Sequence, residues 1–331
     1  SCAADERYNE KRWMDIVTEH IRVDSHIIYP QLQDAIDTTK KLIWYQDEPY
    51  QSQSAFLGFK IFGLARENGV KVLLNGQGAD EYLGGYGQFT AARYADMVRQ
   101  FRWCSLNSDI RNLRKIRPIP KATLLRHISF HLIPSFLRGR LVNITGSADF
   151  IRKIVDIEKL GISFTHPYDV IPVKMNSVPE ISEHLTFYST LPKYLRWEDR
   201  NSMAHSIEAR VPFLDHRLVE FAYSLPDDFL DKDGVTKRVM REAMDNLLPE
   251  KIKNRKDKMG FTTPEELWVK KEKPDFFRKW ILEAISVTDG IIKPESVTYF
   301  DRLVKGEVPF DFTYWRIILF SEWMQKFRVR Q

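Results

Sequence analysis

Apolar residues recur at helical spacing in several stretches of the chain. The clearest patterns cover residues 31–45, Ser54–Glu67 and residues 312–327, and a shorter one begins at Trp13. An amphipathic helix places its apolar residues three and four positions apart, so each stretch predicts a helix. The dipeptide Asn68-Gly69 follows the second stretch and predicts its end, because glycine is common just after a helix.

A short apolar run, Val70–Leu74, comes directly after this glycine. An apolar run without alternation is typical of a parallel strand that is buried on both faces. Together with the preceding helix it makes an α/β unit, whereas the patterns beyond residue 90 are mainly helical. We therefore predict an α/β fold with two parts: a partial α/β part in residues 1–90 and a mostly helical remainder in residues 91–331.

The composition is that of a soluble globular protein. Of the 331 residues, 43% are hydrophobic and 29% are charged, so the chain can form a sizeable core. The 50 Lys and Arg against 45 Asp and Glu give a net charge of +5, which is too small to indicate nucleic-acid binding by itself. No apolar run approaches the ~20 residues of a membrane span. The first residues lack the basic and apolar segments of a signal peptide.

The chain has two cysteines, Cys2 and Cys104. Two cysteines cannot build a disulfide framework or a four-ligand zinc site. A reducing, cytoplasmic location is therefore expected. The eight histidines are scattered singly, and there is no Gly-x-Ser-x-Gly motif, so metal-hydrolase and serine-hydrolase classes are not supported.

Residues 105–140 carry eight basic side chains and a single acidic one, Asp109, with apolar residues between them. This stretch lies in a basic insertion at about residues 105–165. One interpretation is a helical insertion that packs on the main body, and we favour it. The other is a docking surface for an acidic partner or a membrane surface.

Three segments carry candidate chemistry, and the first follows the predicted strand. It runs through Asn75–Glu81 and continues with Gly84–Tyr86. Strand, glycine turn and helix form the region where α/β proteins bind nucleotides. Gly76 and Gly78 let a ligand approach the backbone. Asp80 is expected in the first helical turn, where it could hold Mg²⁺ facing phosphates. The alternative is an ordinary turn and helix cap, since the segment matches neither a Walker loop nor a dinucleotide fingerprint.

The other two segments are rich in charge. Leu195–Asp215 mixes charges of both signs with apolar residues, and a buried Glu208–Arg210 network that fixes the chain path is favoured over a catalytic role. Asn254–Phe261 is a basic loop closed by glycine. Such a loop can clamp a leaving pyrophosphate, because lysine places a point charge on phosphate oxygens. The alternative is a solvated basic turn.

Six short segments together carry a family resemblance. In order they are Asp47–Pro49, Asn75–Glu81, Gly84–Tyr86, Met203-Ala204, Glu208–Asp215 and Lys258–Phe261. Their order closely resembles the synthetase domain of the glutamine-dependent asparagine synthetase family, which also includes the β-lactam synthetases. The likeness covers nearly the whole chain and is weakest over residues 105–165.

The resemblance implies an adenine-nucleotide α-hydrolase-like parallel sheet, present here in part, and an ATP-dependent, amide-forming ligase. Such enzymes use ATP and Mg²⁺ to transfer AMP onto a carboxylate with release of pyrophosphate. Ammonia from a glutaminase domain then attacks the acyl-adenylate. The implied partners are thus a small-molecule carboxylate, foremost aspartate, which would become asparagine, and this ammonia; a homodimer is left open.

The resemblance also implies residue roles. Asn75 and Gly76 would contact the nucleotide through backbone groups, and Cys2 would lie by the adenine. Asp80 would bind Mg²⁺, and Lys258 would stabilise charge on the pyrophosphate and the reacting carboxylate.

The remaining implied residues have catalytic, structural or substrate-supporting roles. Gln77 occupies a catalytic position at which asparagine synthetases commonly have glutamate. Structural or substrate-supporting roles fall to Glu81, Glu208 and Arg210.

The sequence departs from the family pattern in two ways. The family's Ser-Gly-Gly-x-Asp-Ser loop and its glutaminase domain do not occur in these 331 residues. We therefore expect a carboxy-terminal part of a longer chain that is inactive alone. Gln77 is the second departure, because a neutral amide cannot act as a base. Two alternatives follow: amidation of another carboxylate, such as a sugar acid for surface polysaccharide, or a degenerate, non-catalytic binding module that uses residues 105–140.

Overall fold

The computed structural model describes most of the chain as helices with two small sheets. It describes residues 9–134, 137–138, 147–163, 170–256, 260 and 263–329. The fold is mixed α/β and mostly helical, as predicted at that level.

Three helices precede the first strand. They are α1 (Lys11–Ile21), α2 (Leu32–Gln46) and α3 (Ser54–Glu67). All three agree with the predicted positions, and α3 has the predicted bounds. After α3 the chain turns at Gly69, whose φ of 72° is a left-handed conformation that glycine adopts without strain.

The first sheet is a parallel pair. Strand β1 (Val72–Leu74) pairs with β2 (Glu208–Arg210), and Leu74 lies opposite Arg210. The strand was predicted correctly, but its burial on both faces was not, since Leu74 is 66% exposed. The physical reason is that β1 has one strand neighbour among the described residues, so no wider sheet surrounds it.

The middle of the chain is helical. Helices α4 to α10 and a π-helical turn after α9 have these bounds: α4 (Ala79–Tyr82), α5 (Gly87–Arg99), α6 (Trp103–Ile116), α7 (Lys121–Leu132), α8 (Ser147–Ile154), α9 (Val178–Glu183), the π-helix His184–Tyr188 and α10 (Thr190–Ala204).

The chain after β2 contains an antiparallel hairpin between short helices. Its elements are the 3-10 turn Pro212–Leu214, α11 (His216–Tyr223), α12 (Asp227–Leu230), β3 (Asp231–Lys232), β4 (Val235–Thr236), α13 (Arg238–Ala243), α14 (Glu250–Lys253), α15 (Glu265–Leu267), the π-helix Trp268–Glu272, α16 (Pro274–Val287), α17 (Glu295–Lys305) and α18 (Thr313–Phe327). In the described residues no helix is long and apolar enough to cross a bilayer.

The largest apolar core joins the two ends of the chain. Helix α2 packs there against α18, which packs on α16, while α3 packs against α2 and α10; Trp315 is fully enclosed. This core contains residues from both sides of residue 90. The proposed division of the chain at that residue stays a prediction. Burial of large apolar side chains is the main stabilising term here, at about 1.5–3 kcal/mol per side chain.

The helices α6 and α7 of the basic insertion pack on α5. Their buried leucines and isoleucine, together with Tyr94 and Met97 of α5, form a separate apolar cluster. A buried ion pair supports this packing: Nη1 of Arg93 on α5 lies 2.7 Å from Oδ2 of Asp109 on α6. Asp109 also accepts hydrogen bonds from the Tyr94 hydroxyl and the Asp233 backbone N–H. One carboxylate therefore joins α5, α6 and the β3–β4 hairpin.

This arrangement gives a stability prediction. Asp109→Ala should lower the free energy of unfolding by about 1–3 kcal/mol, because it removes one of the two carboxylates that pair with the buried Arg93 and leaves the Tyr94 hydroxyl without its acceptor. Asp301→Ala is the matched control, since its pair with Arg278 is exposed and such pairs contribute about 0.2–1 kcal/mol. Urea unfolding followed by tryptophan fluorescence measures both. Equal losses in the two variants would show that the buried pair is unimportant.

Candidate functional site

The turn after β1 is fixed by hydrogen bonds on both sides. The Asn75 backbone N–H donates to the Arg210 carbonyl across the sheet at 3.0 Å. The Asn75 side-chain oxygen then accepts from the Gln77 backbone N–H at 2.8 Å, which closes the turn locally. The turn is thereby tied to β2 and presents Asn75 to Gln77 at the end of the strand.

Gly78 is required where the turn enters α4. Its φ is 100°, and a Cβ there would lie 2.4 Å from Cδ2 of Leu214. The 3-10 turn that holds Leu214 is also bonded to α4, because the Tyr82 hydroxyl donates to the Phe213 carbonyl at 2.7 Å. Close packing, rather than ligand approach alone, therefore explains this glycine. Gly76 has open space by comparison, with the nearest atom to its Cβ position at 3.9 Å.

A carboxyl group that the motifs did not single out lies at this turn. Glu198 on α10 accepts a hydrogen bond from the Asn75 side-chain amide. Burial raises the pKa of Glu198 to about 7. A carboxyl group that exchanges its proton near neutral pH can act as an acid or a base. The two partners are 123 positions apart in the sequence, which explains why spacing along the sequence gave no signal.

Asp80 lies in the first turn of α4, as predicted, and its carboxylate meets a lysine. Nζ of Lys237 is 2.6 Å from Oδ1 of Asp80. Gly85 permits this position, because a Cβ there would lie 1.9 Å from the same carboxylate oxygen. Lys237 stands between β4 and α13 and is a second site residue that the motif analysis missed.

Glu81 points away from the Asp80 carboxylate into protein. Its side chain is buried and accepts a hydrogen bond from the Tyr86 hydroxyl at 2.8 Å. The Ser182 hydroxyl donates to the Glu81 backbone carbonyl. Burial and the neighbouring Glu81 charge raise the pKa of Tyr86, so its hydroxyl stays protonated and remains a donor. These contacts hold α4 to its neighbours.

Beside Asp80 lies a cavity of about 260 Å³, which we call the cationic cavity. Six basic side chains from three stretches of the chain line it together with Asp80. They are Arg117, Lys237, Arg241, Lys253, Arg255 and Lys256.

The positive charges in this cavity are close enough to affect one another. Burial and then the charges of Arg117 and Arg255 lower the pKa of Arg241. The Arg241 guanidinium donates to the backbone carbonyls of Thr236 and Lys253, which accept hydrogen bonds without supplying a negative charge. Crowded cations of this kind are stabilised by a bound anion.

Some of this charge is balanced within the protein. Arg255 pairs with Glu10 at 3.1 Å and lies over the Trp13 ring, which anchors α1 beside the cavity. Lys253 pairs with Asp245 at 2.6 Å. Of the described residues that line the cavity, one, Asp80, carries a carboxylate. The cavity is thus strongly positive and suited to a phosphate or carboxylate ligand.

The predicted Glu208–Arg210 network is different from what we expected. The two side chains do pair, at 2.7 Å, but the Arg and Glu side chains are 59% and 57% exposed. The prediction of a buried network was wrong, because both residues belong to the open two-stranded sheet rather than to a covered core. A pair this exposed contributes little to stability.

Two predicted site residues, Lys258 and Cys2, lie outside the described residues. Within the same basic loop, Lys256 is described and lines the cationic cavity. No group of three or more His, Cys, Asp or Glu side chains in the described part of the chain is arranged to hold a metal ion. Asp80 nevertheless suits the way Mg²⁺ binds beside phosphates, which uses one or two carboxylates and completes its shell with phosphate oxygens and water.

Comparison with known proteins defines the class. The sequence model of the asparagine synthase family matches residues 1–325. The chain therefore belongs to the asparagine synthase family.

Individual relatives agree with this family. Asparagine synthetase [glutamine-hydrolyzing] 1 of Bacillus subtilis is 26% identical over 295 residues, which cover 82% of this chain and 42% of the relative. Asparagine synthetase [glutamine-hydrolyzing] 3 of the same organism is 25% identical over 74% of this chain and 35% of its own length. The amidase chry2 of Gibberella zeae is 23% identical over 80% of this chain and 42% of its own length. The chain thus spans less than half of the length of these relatives.

The raised pKa of Glu198 predicts a pH effect on stability. The ordinary value is 4.5 and the folded value is about 7, so the folded state binds more protons between these pH values. The contribution of Glu198 to stability is therefore lost as pH rises from about 4.5 through 7. Relative to the wild type, Glu198→Gln should become more stable between pH 5 and pH 8, as measured by urea unfolding.

Asp215→Asn is the control for this measurement. Its ion pair and hydrogen bond with Arg217 lower the pKa of Asp215, so the change in its protonation lies below pH 5. The offset of this variant from wild type should be the same at both pH values. The ¹³C carboxyl resonance of Glu198 should also titrate near pH 7, and a midpoint below pH 5 would contradict the assignment.

Proposed function

We propose that this chain is the synthetase part of an ATP-dependent, amide-forming ligase. The observation that carries the proposal is the cationic cavity, which opens beside Asp80 and the glycine turn after β1. Membership of the asparagine synthase family supports it. The cavity supplies what such a reaction needs most, positive charge where a polyphosphate leaves.

The proposed reaction has two steps. A carboxylate oxygen of the acid attacks the α-phosphorus of ATP, and the bond from that phosphorus to the bridging oxygen breaks, which releases pyrophosphate. Ammonia then attacks the carbonyl carbon of the acyl-adenylate, AMP leaves with the carbon–oxygen electron pair, and the nitrogen gives up a proton. The products are an amide, AMP and pyrophosphate.

The basic residues act on the first step. Lys237, Arg241 and Lys256 would neutralise the charge that develops on the departing pyrophosphate, and Lys258 would act with them and on the reacting carboxylate. Fixed cations of this kind favour the transition state without having to reorganise. Lys237 would exchange its carboxylate partner, Asp80, for phosphate oxygens when the nucleotide binds.

Mg²⁺ would be held at Asp80, and it supplies a Lewis acid that offsets phosphate charge. The backbone of Asn75 and Gly76 would contact the nucleotide at the end of β1, with Cys2 near the adenine. The open space at the Gly76 Cβ position is compatible with such an approach.

Glu198 supplies the base that Gln77 cannot. The amide of Gln77 would contact the reacting groups without accepting a proton. Glu198, held by Asn75 and poised near pH 7, would accept the proton that the ammonia nitrogen releases. A base whose pKa lies near the operating pH is the most effective in such a step.

Aspartate is the first candidate for the acid, with asparagine as product. Gln77 favours one alternative, amidation of a different carboxylate such as a sugar acid. The ammonia would come from a glutaminase domain, a proposal supported by relatives that are more than twice as long as the matched region.

The substrate is tested with the full-length protein. If aspartate is the acid, incubation with ATP, Mg²⁺, glutamine and aspartate releases pyrophosphate and forms asparagine. Reactions without an acid should release none. Pyrophosphate release with another acid alone would favour the amidating alternative. If no acid supports pyrophosphate release, the ligase proposal is wrong.

The role of the cationic cavity is tested by single lysine substitutions in the same assay. Lys237→Ala and Lys258→Ala should each lower turnover about 10²- to 10³-fold, because each removes one charge aimed at the transition state. Lys232→Ala is the matched control, since this lysine is on the same hairpin and pairs with Asp228 outside the cationic cavity. Turnover within about twofold of wild type in Lys237→Ala would remove that residue from the mechanism.

A further inference from the structure

A second cavity adjoins the site and is mainly apolar. It has a volume of about 350 Å³ and lies between α5, α6 and α7, the last two being the helices of the basic insertion. Its apolar walls include Ala91, Leu113, Leu124, Phe130 and Met175. Protein interiors contain few voids larger than a water molecule, and this volume falls in the range of small-molecule pockets, about 300–1,000 Å³.

The apolar cavity and the cationic cavity share one wall residue, Arg117. Arg117 follows α6 and is half-buried. Within the described residues its guanidinium forms no ion pair and no side-chain hydrogen bond. It lies near enough to Asp231 and Arg241 to influence both groups, but it is bonded to neither. A partly buried guanidinium without a bonded partner can bind a carboxylate without breaking an existing ion pair.

A helix end adds to the attraction for anions at the same place. The first residues of α5, Gly87 and Gln88, line the apolar cavity, and no side chain caps this helix. The free N–H groups of a helix N-terminus carry partial positive charge. The cavity therefore combines apolar walls with two independent features that favour a negative group at its edge.

One of the two histidines in the wall, His131, does not compete for this negative group. His131 is buried and lines the cavity, and its Nδ1 lies 2.9 Å from the Met175 carbonyl, to which it donates. Burial, and to a smaller extent the charges of Arg138 and Arg99, lower the pKa of His131. The His131 ring is thus neutral near pH 7, whereas Arg117 carries a permanent positive charge at this wall.

We propose that the apolar cavity binds the body of the acid that the enzyme amidates, with the acid's carboxylate on Arg117. This inference rests on the proposed ligase function and narrows its substrate class to carboxylates with an apolar body. The orientation directs the carboxylate toward the cationic cavity, where the phosphates would lie. Free aspartate fits this pocket poorly, because its ammonium and second carboxylate would face apolar walls without partners.

Binding is tested without turnover, by ¹³C-methyl methionine NMR on the full-length protein. The probe acid is 3-phenylpropanoate, and Met175 reports on the apolar cavity. The probe should shift the Met175 methyl resonance, whereas aspartate should not. 3-Phenylpropanol, which lacks the charge, should bind at least about tenfold more weakly, as expected for the loss of a charge-assisted hydrogen bond.

Two variants test separately the contribution of the apolar cavity and that of the Arg117 charge. Ile119→Trp fills the apolar cavity from its loop and should abolish the Met175 response. It should leave intact the response of Met240, in the cationic cavity, to inorganic phosphate, which also shows that the variant is folded. Arg117→Gln should weaken binding of the acid at least about tenfold, while Arg114→Gln, on the exposed side of α6, should not change it.

The outcomes distinguish this inference from the proposed function. If 3-phenylpropanoate leaves Met175 unchanged, or binds equally well to wild type and Ile119→Trp, the cavity is not an acid-binding site. If that result is found together with aspartate-dependent pyrophosphate release, the ligase proposal stands and the proposal of an acid with an apolar body is wrong. A Met175 response that depends on Arg117 supports the acceptor class even before any substrate is turned over.

Discussion

The backbone pairing between β1 and β2 is the constraint on which the site depends. It brings the turn after Leu74 against a segment more than 130 residues later in the chain. On one side of that later segment, α10 supplies Glu198; on the other, the 3-10 turn packs Leu214 on Gly78. Both strands are short and lead directly into the segments that hold these groups. A shift of one residue in register would therefore displace both the Glu198 carboxyl and Leu214.

Electrostatics give the second layer of organisation. The protein places several basic side chains around one small cavity and balances them incompletely, with Asp80 on Lys237 and Glu10 on Arg255. Such crowding destabilises the unliganded fold and favours a ligand rich in negative charge. The crowded positive charge lowers stability, but it supports the proposed release of pyrophosphate. Part of this charge, on Arg255, is stabilised by the Trp13 ring, which anchors α1 beside the cavity.

The basic insertion contributes structure to the site rather than standing apart from it. Its helices are fastened to α5 by the buried pair of Arg93 and Asp109, and the same helices enclose the apolar cavity. An insertion fixed in this way can shape the apolar cavity without changing the turn after β1. Under the acid-binding proposal, its walls and Arg117 would favour an acid other than aspartate.

The sequence by itself determined the local structure, including helix α3 with its bounds, the strand β1 and the position of Asp80 in the first turn of a helix. These features follow from periodicity and turn chemistry among neighbouring residues. Tertiary structure alone decided that Lys237 meets Asp80, that Glu198 meets Asn75 and that the predicted strand is exposed. Those outcomes depend on burial and on contacts between distant parts of the chain, which no spacing along the sequence records.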